Sequence, residues 1–372
     1  MVEVAVTGIG LVSALGNLTE SWQGILEGES AIASAQPYKQ LPPLPLGLIN
    51  SVPANLNDLI PQLVEEVIQT AGLTLPLPDC GVVIGSSRGY QGELERLASL
   101  SPFPIPHFPN LLPQRVGIEA ARKIGARGPV LAPMAACATG IWSIALACEL
   151  IETGQCQQAI AGAIETPITP LTLAGFQKMG ALAQTGVYPF DRHREGLVLA
   201  EGGGLFMLES VESARQRSAP ILGKILGYGL TNDACYANAP DLKGKSGLMA
   251  IEQCLQRSQL SARDLDYIHA HGTGTKLNDK NEAKLIEKIF PLGVAVSSTK
   301  GATGHTLGAS GALGLAFSLM ALKHQILPPC VGLKEPEFNL DLIKMARKSK
   351  VRNALCFSFG FGGQNAVISI NN

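Results

Sequence analysis

A chain of 372 residues that is 46% hydrophobic and 16% charged has the length for two or three domains and ample material for a large buried core. Its 29 basic and 30 acidic side chains nearly cancel, to a net charge of -1, so nothing electrostatic points to nucleic acid or an anionic membrane surface as a partner. The longest apolar runs, such as Leu313 to Leu322, are too short to span a bilayer and rich in Gly, Ala and Ser, and they read as buried helices.

Met1 to Thr7 begins as a strand pattern rather than with the basic start, apolar stretch and cleavage site of a signal peptide. Export is not expected, and eight scattered cysteines without a CxxC pair suit a reducing, cytoplasmic compartment in which most of them are small core hydrophobes. Val4 to Ile9 and Cys80 to Gly85 are short apolar runs ending in Gly-rich loops, the pattern of parallel strands buried on both faces. The amphipathic stretch Leu59 to Ala71 and the run Gly140 to Gly154 read as helices between strands. Gln36 to Pro53 and Leu100 to Pro113 hold too many prolines for a helix interior or a central strand, so two irregular excursions are expected there.

A second alternation starts after residue 222, with a strand Lys224 to Gly229, a helix Gly247 to Arg257 and a strand Tyr267 to Ala270. A helix Asn281 to Ile289, a strand Val294 to Ser298 and a Gly/Ala-rich helix Gly308 to His324 complete it. That last helix follows a reactive-looking loop just as Gly140 to Gly154 follows Cys137. Two related halves are therefore expected, 1–222 carrying Cys137 and 223–372 carrying two histidine loops.

Cys137 lies in Met134-Ala-Ala-Cys-Ala-Thr-Gly140, at the mouth of an apolar helix. Unsatisfied N–H groups and the positive end of the macrodipole favour thiolate there, which makes the residue a candidate nucleophile. His269-Ala-His-Gly-Thr-Gly-Thr275 closes a strand with a flexible loop, and the period of two puts both imidazoles on one face if the strand extends that far. His-x-His can seed zinc ligation, but no nearby Cys, Asp or Glu spacing completes a set, so no metal is expected. His269 reads as a satisfied strand histidine and His271 as the site candidate.

Lys300-Gly-Ala-Thr-Gly-His305 follows a strand and precedes a helix, a position from which side chains enter a cleft. The Walker spacing is absent there, and Gly8 to Ser13 lacks the third glycine of the dinucleotide fingerprint, so no nucleotide cofactor is expected. Cys356 to Asn365 places Phe361 between glycines that can expose backbone N–H groups, as an oxyanion donor or simply as a tight turn. Arg192 to Glu195 and Glu201 to Gly204 are expected to form a solvated loop with a paired Arg and Glu. One thiolate candidate and two loop histidines suit carbon–carbon bond formation through a thioester, with neutral imidazoles holding a carbonyl while carbon dioxide departs. Other acyl transferases also use Cys and two His, and spacing alone does not decide between them.

Ala-Cys137-Ala-Thr-Gly, His271-Gly-Thr-Gly-Thr, Lys300-x-x-x-Gly-His305 and Gly360-Phe-Gly-Gly363, in that order, resemble the β-ketoacyl-[acyl carrier protein] synthases of the I/II type. Pro189-Phe-Asp-Arg and Arg194-Glu-Gly through Glu201-Gly extend the likeness over nearly the whole chain. The resemblance implies an α/β protein of the thiolase-like fold, a five-layer α-β-α-β-α sandwich built from two related halves, usually a homodimer. It implies that Cys137 is acylated and that His271 and His305 bind the malonyl thioester carbonyl and assist decarboxylation. Lys300 would orient the site, and the N–H groups of Cys137 and Phe361 would form an oxyanion hole, with the Phe361 ring gating the acyl tunnel. Thr273 and Thr275 match positions that touch the phosphopantetheine arm, and Glu282 matches a buried acid near the lysine. The implied partner is acyl carrier protein, bearing acyl and malonyl thioesters; no cofactor is implied, and the product is a 3-oxoacyl thioester two carbons longer.

Three positions depart from the family pattern: Ala138 replaces the usual Ser or Thr, Lys276 the usual Pro, and Phe357 the usual Asn. Lys276 is expected to alter carrier docking through its charge, and Phe357 to add bulk beside the gate. Both Pro-rich stretches look shortened, and in this fold they help line the acyl pocket and the dimer seam, so a specialised polyketide or lipid synthase fits as well as fatty-acid elongation. The rivals are a non-catalytic chain-length-factor-like partner subunit, a thiolase or type III synthase, and a pure binding protein. Retention of Cys137, His271, His305 and Lys300 together favours the condensing enzyme.

Overall fold

The computed structural model describes residues 2–102 and 105–372. The apolar runs of the first half become Val4–Ser13 (β1), Gly81–Gly85 (β2), Val130–Leu131 (β3), Gln158–Glu165 (β4) and Gly202–Ser210 (β5). Those of the second become Gly223–Asn232 (β6), Tyr267–His269 (β7), Ala295–Ser297 (β8), Asp341–Leu342 (β9), Asn353–Gly360 (β10) and Gln364–Asn371 (β11).

In space the first set runs β1-β5-β4-β2-β3 and the second β6-β11-β10-β7-β8, with β9 beyond β8. The pairing sense also matches, two antiparallel neighbours and then two parallel ones. The halves are therefore topological copies. They join where Val4 pairs antiparallel with Ile225, so β1, expected from its buried apolar run to be a parallel strand, is antiparallel to both β5 and β6.

Strand alternation sorts the apolar side chains into layers. Val82, Ile84, Ile160 and Ile164 pack outward against helices Leu56–Thr70 (α1) and Arg115–Ile124 (α2). Val83, Ala159, Ala161 and Ala163 face inward onto Thr139–Glu152 (α3). In the second half, Leu355, Phe357 and Val367 face outward onto Lys245–Ser258 (α4) and Lys276–Ile289 (α5), while Ala354, Cys356 and Ile368 face inward onto Ser310–His324 (α6). The result is the expected five-layer α-β-α-β-α sandwich, with α3 and α6 as the middle layer.

Every residue from Ser310 to Leu322 is buried, as an all-apolar helix requires. Small residues let the two central helices touch. A Cβ on Gly140 would stand 2.8 Å from the Ala312 amide nitrogen and 3.1 Å from the Gly308 carbonyl oxygen.

Several expectations need correction. Helix α5 begins at Lys276 rather than Asn281, because Asp279 and Glu282 face inward and conceal its amphipathic start. The Gln36 to Pro53 excursion holds a short strand, Leu44–Leu46, paired with Ala33–Ala35. The Leu100 to Pro113 excursion holds the 3₁₀ turns Ile105–Leu111, whose short run accommodates Pro109; Phe103 and Pro104 of that stretch lie outside the described residues.

The loop is solvated at Arg192, His193 and Glu195 but not at Arg194 or Glu201. Both are buried, and they do not pair with each other. Arg194 meets Asp279 at 3.6 Å and also pairs with Glu337, while Glu201 accepts from the Ile49 and Ala54 amides at 3.3 and 2.8 Å. Backbone donors of neighbouring loops needed acceptors once buried, and these acids supply them. Among the described residues, no helix is long and apolar enough to cross a membrane.

Candidate active site

Cys137 occupies a 3₁₀ turn, Ala136–Ala138, that leads into α3, and Ala136 enters it at φ 47°. A non-glycine residue in the left-handed region costs about 1–2 kcal/mol, so the surroundings must hold it. Thr139 does part of this, accepting from the Ala135 amide at 2.9 Å and donating to the Ala136 carbonyl at 2.7 Å. The end of β10 lies against the same turn. A Cβ at Gly360 would be 2.9 Å from the Ala135 oxygen and 3.1 Å from the Cys137 nitrogen, so only glycine permits the approach. That approach brings the Phe361 N–H to the Cys137 sulfur, and Ser358 donates to the Cys137 carbonyl at 2.9 Å.

The second half delivers both imidazoles. Strand β7 ends at His269, and the His271 and Gly272 amides beyond it donate to the Glu282 carboxyl at 2.5 and 2.8 Å. Lys300 Nζ donates to the His271 carbonyl and lies 3.4 Å from its Nδ1. A donor at Nδ1 assigns the proton of His271 to Nε2. His305 Nδ1 lies 2.7 Å from Ser310 Oγ, and the two imidazoles stand edge to face with centroids 5.4 Å apart. The Cys137 sulfur and one nitrogen from each histidine all lie within 4.8 Å of one another.

A cavity of about 310 Å³ opens onto this cluster, bordered by Phe176, Thr273, Thr275, Lys276, Phe359 and Phe361. The Phe361 ring stacks on Phe176 with centroids 5.9 Å apart.

Burial overturns the thiolate expectation. It pushes the Cys137 thiol up to about 11, and the Lys300 charge and the Phe361 N–H only partly pull it back. A helix terminus contributes about 0.3–1 kcal/mol, too little to offset the hydration a buried sulfur loses. The resting residue is therefore a thiol. Burial first, and the Lys300 charge second, push His271 and His305 well below the ordinary histidine range, so both imidazoles are neutral. Burial also lowers Lys300 and raises Glu282 to about 7.

The tertiary fold supplies what sequence spacing lacked, a sulfur beside two imidazoles, which is a donor set zinc can use. The Lys300 ammonium against His271 opposes a further cation there.

The remaining site residues fall as follows. Thr273 and Thr275 border the cavity with their hydroxyls 2.8 Å apart, and Lys276 stands exposed at its mouth. His269 is buried and bonded to Thr299 at 3.1 Å, as a structural histidine should be. Phe357 does not flank the gate: it is 1% exposed, in the outer core. Alternation puts Phe359 on the same face one step nearer the site, and it is Phe359 that borders the cavity, 6.2 Å from the His271 ring.

Sequence reading missed Phe176, Phe359, Ser310, Ser358 and Arg88. Only Arg88 carried a signal, its place in the loop Gly85-Ser-Ser-Arg-Gly-Tyr90 after a buried strand.

Residues 56–214 match the family model described as the N-terminal domain of β-ketoacyl synthase, and residues 222–334 its C-terminal domain. A mitochondrial 3-oxoacyl-[acyl-carrier-protein] synthase of Arabidopsis thaliana is 33% identical, covering 98% of this chain and 92% of its own length. A 3-oxoacyl-[acyl-carrier-protein] synthase 2 of Staphylococcus aureus is 32% identical, covering 99% and 97%. Among solved structures, a type II polyketide ketosynthase described in complex with its acyl-carrier protein superposes with a TM-score of 0.92 at 26% identity, covering 100% of this chain and 99% of that one. The ishigamide ketosynthase/chain length factor gives 0.90 at 26% identity, with the same coverage.

Proposed function

The chain belongs to the β-ketoacyl synthase family and is a condensing acyltransferase, a 3-oxoacyl-[acyl carrier protein] synthase; we propose that Cys137 is its acylated nucleophile and that His271 and His305 drive decarboxylation. One observation carries the assignment of roles: three reactive atoms from distant parts of the sequence within 4.8 Å, at the floor of an open cavity.

In the first half-reaction the Cys137 sulfur attacks an acyl-carrier thioester, and its proton passes to the departing carrier sulfur as the new carbon–sulfur bond forms and the old one breaks. The developing oxyanion sits between the Cys137 and Phe361 N–H groups, and the carrier thiol leaves with the proton. Burial that disfavours a resting thiolate does not penalise the neutral thioester that replaces it.

In the second, the malonyl thioester carbonyl accepts hydrogen bonds from imidazole Nε2–H groups. His271 has its tautomer set by Lys300, and His305 presents the same face once the Ser310 hydroxyl, which donates to the Leu307 carbonyl at 2.8 Å, turns to donate to Nδ1. Neutral imidazoles suit this role because they donate without protonating the carbanion. Carbon dioxide departs, the carbanion attacks the Cys137-bound carbonyl, and the thiolate is released as the 3-oxoacyl thioester forms. Glu282 holds the loop that carries His271, and Lys300 orients that imidazole.

Thr273 and Thr275 suit a pantetheine arm in the cavity, and exposed Lys276 offers a cation to acidic carrier helices at its mouth. A homodimer is the further expectation, supported by the sheet edge at β3, where Val130, Leu131 and Met134 are 38%, 39% and 58% exposed. The halves divide at 222/223, and a reducing, cytoplasmic setting suits eight free cysteines. Keeping the sulfur and both imidazoles argues against a non-catalytic partner subunit.

Mixing the protein with acyl-carrier thioesters and measuring its intact mass tests the reading. An adduct on Cys137 is expected, and Cys137→Ala should lose adduct and condensation while malonyl decarboxylation survives. Full condensation by that variant would end the assignment.

A further inference from the structure

Arg88 sits in the loop after β2, the topological counterpart of the loop after β7 that carries His271. The two loops are held alike. Buried Glu165 accepts from the Ser86 hydroxyl at 3.1 Å, from the Ser87 amide and from the Arg88 amide at 3.3 Å, as Glu282 does for His271 and Gly272. That leaves Glu165 occupied with backbone.

Among the described residues the Arg88 guanidinium, half-buried, makes no ion pair or hydrogen bond. Its one close aromatic neighbour is Phe176, 5.7 Å below it, the ring that borders the cavity and stacks on Phe361. Its charge reaches the Cys137 sulfur, behind burial, Lys300, the Phe361 N–H and the opposing Glu165 carboxyl. The buried apolar side chains packed with Cys137 and Phe176 include Leu44, Leu46, Ile168, Leu173 and Leu307.

We propose that Arg88 selects the acyl group held on Cys137, favouring chains that carry a carboxylate over unsubstituted alkyl chains; this rests on the condensing role above. A plain alkyl chain laid along Phe176 strips water from the guanidinium and returns no acceptor. A carboxylate on the chain returns two, in the planar fork that arginine matches. No chemistry beyond thioester exchange is needed, since the distal carboxylate does not react.

The test measures Cys137 acylation by intact mass with matched carrier-bound pairs: butanoyl against succinyl, hexanoyl against adipyl, octanoyl against suberyl. At one length or more the carboxylated partner should react about tenfold faster. Arg88→Leu should erase or invert that ratio, and Arg88→Lys should retain part of it. Reading a ratio within one protein keeps the comparison valid if a variant is partly unfolded. Faster alkanoyl transfer at every length, or an unchanged ratio in Arg88→Leu, overturns the proposal. Absence of any acylation in either series brings down the condensing role first, and this inference with it.

Discussion

In the first half the turn Ala136–Ala138 leads into α3, and in the second the turn Leu307–Ala309 leads into α6; each forces a non-glycine residue to positive φ, 47° at Ala136 and 43° at Leu307. Each half also closes the loop after its central parallel strand on a buried glutamate, Glu165 or Glu282. The side chains set on these matching frames differ. The first half offers one sulfur and one cation, Cys137 and Arg88, and the second offers Lys300, His271 and His305. The two turns match, although Glu165 ends strand β4 and Glu282 lies in helix α5, and two loops and two helix starts meet at a common centre; on the proposed roles, divergence between the copies divides acyl storage from carbanion generation.

The comparison breaks most visibly if the two chemistries are separated. His305→Ala should slow malonyl decarboxylation about 10²–10³-fold, whereas acylation of Cys137 should fall much less, the reverse of the Cys137→Ala pattern. Equal loss of both half-reactions would mean that the halves do not divide the labour.

A second test concerns the sulfur itself. With the thiol pushed up to about 11, only its thiolate fraction reacts with iodoacetamide, and that fraction grows tenfold per pH unit below the pKa. Alkylation at Cys137 should therefore rise about a hundredfold from about pH 8 to about pH 10 without levelling, where an unperturbed thiol would level near 9. A plateau at neutral pH would restore the resting thiolate.

The smallest effect sharpens the contact between the copies. A Cβ at Gly140 meets backbone of Ala312 and Gly308, whereas one at Gly311 meets the Ile141 side chain at 2.7 Å, which can turn aside. Gly140→Ala should cost about 1–3 kcal/mol in denaturant titration, and Gly311→Ala less. Equal costs would show that α3 and α6 adjust as rigid bodies.

Much of this was legible in the chain. The alternation of apolar runs anticipated both halves, and four short motifs singled out Cys137, His271, Lys300, His305 and Phe361. What misled at the charged and aromatic positions was burial. Arg194 and Glu201 look like loop charges because nothing local shows that they are enclosed by residues from other segments, such as Ile49, Ala54, Asp279 and Glu337. Phe357 and Phe359 are equivalent in a strand pattern, and only the neighbouring elements decide which one borders a cavity.

Residue types, their spacing and strand or helix period are local properties, and they carried the βαβ alternation, the two halves and the reactive side chains, while the five-layer architecture was implied by the family resemblance. Protonation of the sulfur, neutrality of the imidazoles, the meeting of Phe361 N–H with Cys137 and the placing of Arg88 over Phe176 were decided only by tertiary packing. Desolvation and hydrogen-bond geometry depend on which distant segments enclose a group, and that enclosure exists only once the two halves have closed on each other.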